Sequence, residues 1–238
     1  MTRQSAILLL FLWPKILVSG PMNILDENKS TRAQNRALMK EQIKKLKDGV
    51  LLVRLFTKEN SIKILLQSGQ FKLANKIKTA CENYNKNIIS AFRKNFNFCP
   101  VYFFFSNFSD SIFSNRLEGV TFLNDSLQPD SSIKLTNQRF LTAEISRISQ
   151  DTTKYFSHYY LYHGEKGLEI REAYFGGPDM GFGILKIMSD QFVQLKLPFP
   201  FYVRTFSSLP LVRRKLPKVV RKMNEQLASY YEKNKGSE

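Results

Sequence analysis

Apolar residues recur along this chain with two different periods, and the changes between them mark out its elements. Ala74, Ile77, Cys81, Tyr84, Ile88 and Ala91 fall at alternating spacings of three and four. That is one continuous stripe, and it predicts a helix over about 70–94. VLLVRL (50–55) is too short for a helix and follows the turn signal Asp48-Gly49, so it reads as a buried strand. CPVYFFFS (99–106) reads as a central strand, with Pro100 near its first residue, where a missing N–H breaks no ladder. Residues 22–30 are a polar lead-in. Ser30 or Thr31 then caps a helix to Lys47, with Ala33, Ala37, Ile43 and Leu46 roughly on one face. Lys58–Ser68 fits a helix that buries Ile62, Leu65 and Leu66 and stops at Gly69. A short helix at 109–115 and a strand at 120–124 complete a β-α-β-α-β order, which implies parallel strands with crossover helices.

The second half changes character. Phe140–Ser149 alternates as a strand, and two further runs, 154–162 and 168–175, flank the turn-like HGEKG. ILKIM (184–188) and QFVQLKL (191–197) pair about Ser189-Asp190. The prolines of LPFPFYVRTF suggest an edge or an ordered loop. A last helix, Pro217–Asn234, carries Val220, Met223, Leu227 and Tyr230/Tyr231 on one face. The expected fold class is α/β. It is a single domain over 49–238, a mixed sheet with parallel N-terminal β-α-β units and an antiparallel C-terminal meander, with helices packed on the sheet.

Composition adds two constraints. With 20 Phe and 10 Tyr the chain has the apolar mass to fold. The net charge of +16 points to an anionic partner only where it is concentrated, and the basic runs 40–47 and 213–222 look like solvated helix faces. Neither interleaves aromatics, so nucleic acid is not the expected partner. Residues 1–20 read as an export segment: Thr2-Arg3 gives a positive start, AILLLFLW (6–13) an apolar run, and Ser19-Gly20 small residues. The run is too short and interrupted to span a membrane. Residues 21–48 follow as the lead-in and basic helix. The expected location is periplasmic or secreted.

Candidate chemistry is sparse. Cys99 heads an apolar run, and no Cys-x-x-Cys occurs, so Cys99 and Cys81 are expected as buried, unpaired thiols. His158 and His163, the only histidines, lie five apart on a strand and face opposite sides, which gives no metal pair. GGPDMGFG (176–183) lacks the Gly-Lys-Ser/Thr ending of a phosphate loop, and no cofactor fingerprint is present. If there is a ligand or catalytic site, it is expected where this loop meets the aromatic hairpin 154–175. Asp179 would supply a carboxylate, and His158 and Tyr160 would supply proton-exchanging groups. Gly176, Gly177, Gly181 and Gly183 would allow close backbone approach. The competing reading makes the same side chains packing and the loop a mere connection.

LKDGVLLVRL (46–55), NKNIISAFRKNFNFCPVYFFFS (85–106), GGPDMGFG and SDQFVQLKLPFPFYVRTF (189–206) resemble a group of small exported proteins of Bacteroidota. The resemblance implies an exported bacterial protein and carries no activity and no functional residue. The leading functional expectation is therefore an exported non-catalytic protein that binds a protein partner or the cell envelope. The alternatives are a hydrolase with a dispersed site within 151–183, using Asp179 and His158, and a basic binder of nucleic acid or anionic lipid.

Overall fold

The computed structural model describes residues 24–135, 139–146, 157–164, 167–174, 183–206 and 210–236. Helix α1 (Ile24–Lys47) leads into β1 (Val50–Leu55), followed by α2 (Glu59–Gln67) and α3 (Phe71–Asn95). Then come β2 (Val101–Phe105), the one-turn α4 (Ser109–Phe113), β3 (Phe122–Leu123) and β4 (Phe140–Ser146). Strands β5 (Ser157–Gly164) and β6 (Gly167–Tyr174) form a separate two-stranded ladder. The chain ends with β7 (Ile184–Met188), β8 (Tyr202–Arg204) and α5 (Leu216–Asn234).

The main sheet has the order β3-β2-β1-β4-β7-β8. It is the expected mixed α/β sheet, with parallel strands β2-β1-β4 and antiparallel strands outside them. The membership of the two parts differs from expectation. β3 runs antiparallel to β2, pairing Phe103 with Leu123, and is not a third parallel strand. The single turn of α4 is too short to carry the chain back along the sheet, so it re-enters from the end it left. The third parallel strand is β4, expected in the meander. The segment before it returns the chain to the start of β1, where Val50 N–H donates to Arg139 O at 2.9 Å. Residues 191–197 are not a strand either. Ser189 N–H donates to Val193 O, Phe192 takes a positive φ of 56°, and a single bridge joins Met188 to Gln194. Pro198 and Pro200 cannot donate to a ladder, and the place beside β7 goes to Tyr202–Arg204.

Strand alternation divides the core into two layers. Leu51, Val53, Leu55, Phe103, Leu141, Ala143, Leu185 and Ile187 face one way. They pack with Met39, Ile43 and Leu46 of α1, with Ile88, Ile89 and Phe92 of α3, and with Val219, Val220, Met223 and Leu227 of α5. Val50, Leu52, Phe104, Phe122 and Phe140 face the other way, against Ile112, Leu117, Val120 and Leu135. α1 begins at Ile24, so part of the expected polar lead-in is helical.

The buried stripe of α3 also departs from its sequence pattern. Ala74, Ile88 and Ala91 are buried as expected, but Ile77 and Cys81 are half-buried and Tyr84 is exposed. Asn85, Ile89 and Phe92 take their place. Apart from Ala74, the buried residues of the helix lie in its C-terminal half, from Asn85 to Phe92. The turn into β2 is clamped by α5: Asn224 Oδ1 accepts from the backbone N–H groups of Asn97 and Phe98, each at 2.9 Å. Lys47 Nζ donates to Phe98 O at 3.0 Å and lies over the Phe98 ring.

Gly49 joins α1 to β1 where no side chain fits. A Cβ there would collide with Arg139 O and lie 2.7 Å from Lys45 O, both backbone atoms. Gly49→Ala must therefore displace either the β1–β4 pairing or the end of α1. Urea unfolding followed by circular dichroism should show a loss of about 3 kcal/mol, with a native-like Gly49→Ala protein as the contrary result.

Candidate functional site

The sheet places its natural crevice at the carboxyl ends of β1 and β4. From β1 the chain goes to β2 on one side, while the next parallel strand, β4, lies on the other side of β1. In open α/β sheets such a reversal of strand order opens a crevice beyond the strand ends. Here it coincides with a row of charges. Arg54, Glu144 and Lys186 occupy neighbouring register positions on β1, β4 and β7, on the α4 side of the sheet. Lys186 Nζ lies 3.1 Å from Glu144 Oε1, and Arg54 Nη1 lies 3.3 Å from Glu144 Oε2.

Glu144 and Lys186 are buried, and Arg54 is partly exposed at the crevice, with its guanidinium over the rings of Phe56 and Phe192. The Arg54 contact is one of charge and not an aligned hydrogen bond, since Glu144 Oε2 and Arg54 Nε both lack a hydrogen-bond partner. Two further bonds fix the turn after β7 beside the row. Thr142 Oγ1 donates to Ser189 O at 2.8 Å, and Lys45 pairs with Asp190 at 2.6 Å.

The sequence carries a signal for this row that its reading passed over. VLLVRL, FLTAEIS and ILKIM each hold one charge inside an apolar strand. Charges are rarely buried unless paired, so three such strands imply one another as neighbours.

The residues singled out from sequence are only partly placed. β4 ends and β7 begins at this same edge, paired Ser146 with Ile184. In the chain between them the expected hairpin is present, in register from Ser157↔Tyr174 to Gly164↔Gly167. His158 lies opposite Ala173 and Tyr160 opposite Arg171. Asp179, Gly176, Gly177 and Gly181 lie outside the described residues. Gly183 is buried at the start of β7, and its carbonyl accepts from Thr205 N–H at 2.8 Å.

Neither cysteine pairs with the other. Cys99 is buried, and burial pushes its thiol up to about 12 against the opposing pull of Lys47 and the Leu51 N–H. Cys81 is half-buried, not buried as expected. Its Sγ donates to Phe56 O at 3.0 Å, and desolvation raises its pKa against the pull of Lys58. Asn85 Nδ2 donates to the same carbonyl at 3.0 Å. Among the described residues no cluster of His, Cys, Asp and Glu has the arrangement of a metal site.

A second feature lies beyond the carboxyl ends of β1 and β2. There α2 and α3 border a cleft of about 780 Å³, lined by Thr57, Ile62, Leu66, Lys78, Asn85 and Phe105 among others. α2 buries none of its residues, although Ile62, Leu65 and Leu66 were expected in the core. Ile64 is 64% exposed, Phe71 61%, and Leu66 and Leu73 43% each. Lys58 enters α2 with a φ of 54°, and Gly69 turns the chain into α3 with a φ of 74°. That glycine gives the elbow its sharp bend at no steric cost. Comparison with protein-family models, curated proteins and solved structures finds no match to the chain.

Two measurements test this description. Glu144→Gln or Lys186→Met strands a buried charge and should cost about 3 kcal/mol in urea unfolding. The double variant should cost clearly less than the sum, and strict additivity would count against the pairing. Cys99 has a folded pKa above its ordinary value of 9.0. Its stabilising effect is therefore complete below about pH 9 and falls away as pH rises toward 12. Unfolding midpoints between pH 8 and 11 should decline less steeply in Cys99→Ala than in the parent.

Proposed function

We propose that the chain is an exported, non-catalytic binding protein that docks on an anionic lipid surface of the cell envelope through the α2–α3 elbow. The observation that carries this reading is that α2 buries none of its residues. A helix with an apolar stripe gains its stability mainly by covering that stripe. Here Ile64, Leu66, Phe71 and Leu73 remain in solvent around one bend. Residues 58–78 hold five lysines, at 58, 63, 72, 76 and 78, against one acid, Glu59. Apolar side chains projecting from a lysine-rich rim are suited to insertion among anionic headgroups. Each lysine near such a surface contributes about 1 kcal/mol, and each inserted apolar side chain contributes on the order of 1 kcal/mol or more.

Export is supported by the charged start and apolar run of residues 2–20 and by the resemblance to exported bacterial proteins. Among the described residues no helix is long and apolar enough to cross a membrane, so the proposed attachment is at the surface.

Sedimentation with vesicles tests the reading. The full chain should pellet with phosphatidylglycerol-containing vesicles and stay in solution with purely zwitterionic ones. Raising salt should weaken binding. Ile64→Ser/Phe71→Ser should reduce binding about tenfold or more with an unchanged unfolding midpoint, because neither side chain is in the core. Equal binding to both vesicle types, or no loss in the double variant, would overturn it.

A further inference from the structure

A second cleft, of about 390 Å³, lies between the C-terminal half of α3 and the start of α5. Tyr84, Lys94, Thr205, Arg213, Arg214 and Lys215 are among its lining residues, and no acidic side chain among the described residues lines it. Four cations thus surround one opening in front of a 19-residue helix, whose N-terminus carries partial positive charge. Lys215, the N-cap, makes no side-chain cap. Pro217 in the first turn has no N–H, and Lys218 and Val219 already donate to Lys215 O. The helix therefore contributes chiefly its dipole, and any ligand bonds must come from side chains.

Thr205 is the observation that turns a basic mouth into a candidate seat. It is only 3% exposed, and its Oγ1 is buried with no hydrogen-bond partner. A buried hydroxyl without a partner is costly. The backbone around Thr205 is fully engaged: its N–H donates to Gly183 O, and its carbonyl accepts from Arg214 N–H at 2.9 Å. Thr205, a lining residue of the cleft, is thus fixed in place by backbone bonds on both sides.

The surrounding cations are constrained to different degrees. Arg214 stacks on Phe206 and reaches Arg204 O at 3.4 Å. Arg213 and Lys94 form no ion pair with an acidic residue among the described residues. Arg213 is close enough to Tyr84 to pull its phenol down, though burial raises it further. The phenol therefore stays protonated at neutral pH, as a donor.

We propose that this cleft binds the phosphoryl group of a small phosphate monoester, with Arg213 and Lys94 balancing its charge and Thr205 and Tyr84 donating to its oxygens. A phosphoryl dianion matches cations with no opposing carboxylate. Ala91, Leu216 and Pro217 give the organic body an apolar wall. This site is separate from the α2–α3 elbow and does not depend on docking there.

Calorimetric titration of the full chain with inorganic phosphate and with glycerol 3-phosphate tests the proposal, with glycerol as the uncharged control. Both anions should bind saturably, and glycerol should not. Arg213→Ala, at an exposed position, should weaken binding about tenfold or more. Thr205→Val, which keeps the side-chain shape, should weaken binding about fivefold. It should also raise the unfolding midpoint of the unliganded protein by roughly 2–4 °C, since it removes a hydroxyl without a partner.

A purely structural Thr205 would not couple higher stability to lower affinity. Vesicles containing phosphatidic acid separate the sources of the group. Binding lost in Arg213→Ala but retained in Ile64→Ser/Phe71→Ser would assign the phosphoryl group to a lipid headgroup. Absence of saturable binding by both soluble anions, or affinities unchanged in both cleft variants, would overturn the site.

Discussion

The fold depends on the burial of β1. Parallel partners hydrogen-bond both its edges, and both its faces are covered except at Arg54. A strand in that position cannot leave a backbone donor or acceptor unpaired without a penalty of about 1–3 kcal/mol, so it fixes its neighbours as well as itself. Its first N–H is met by Arg139 O, its second by Pro100 O, and the chain entering it must be glycine because the Arg139 backbone lies where a side chain would start. Three distant segments, 45–50, 98–101 and 139–141, thus meet at one end of one strand.

The opposite end of that strand is where the interior stops being apolar. Arg54, Glu144 and Lys186 span three strands there, and their mutual attraction in a poorly solvated setting must offset the cost of removing three charges from water. Pairing is complete on the Lys186 side and incomplete on the Arg54 side, where the crevice opens. The insertion between β4 and β7 is rooted at the same edge, so the hairpin bearing His158 and Tyr160 is tethered to the part of the sheet with the most concentrated polarity.

A net charge of +16 by itself distinguishes no partner, because lysine is spread along the whole chain. Its two concentrations differ in their surroundings. Around the α2–α3 elbow, lysines border the exposed apolar side chains of Ile64, Leu66, Phe71 and Leu73. At the start of α5, Lys94, Arg213, Arg214 and Lys215 line one concave opening together with Thr205.

Wherever a signal was local, the residues alone determined the outcome. The six residues of β1 and the five of β7 were bounded correctly because short apolar runs between turn residues admit little else. The helices α3 and α5 followed from their period, the β5–β6 hairpin from its turn, and Cys99 from its apolar neighbours. The α/β class followed from the order of these elements. Tertiary structure decided what depends on partners distant in sequence. It gave the third parallel place to β4 instead of β3, and it put β8 beside β7 in place of 191–197. It left α2 with no fully buried residue and gathered most of the buried residues of α3 into its C-terminal half. It also assembled the Arg54–Glu144–Lys186 row and the Thr205 cleft, whose members come from strands and helices far apart in the chain. Periodicity states which face of an element is apolar. Only the packed sheet states whether anything is there to cover it.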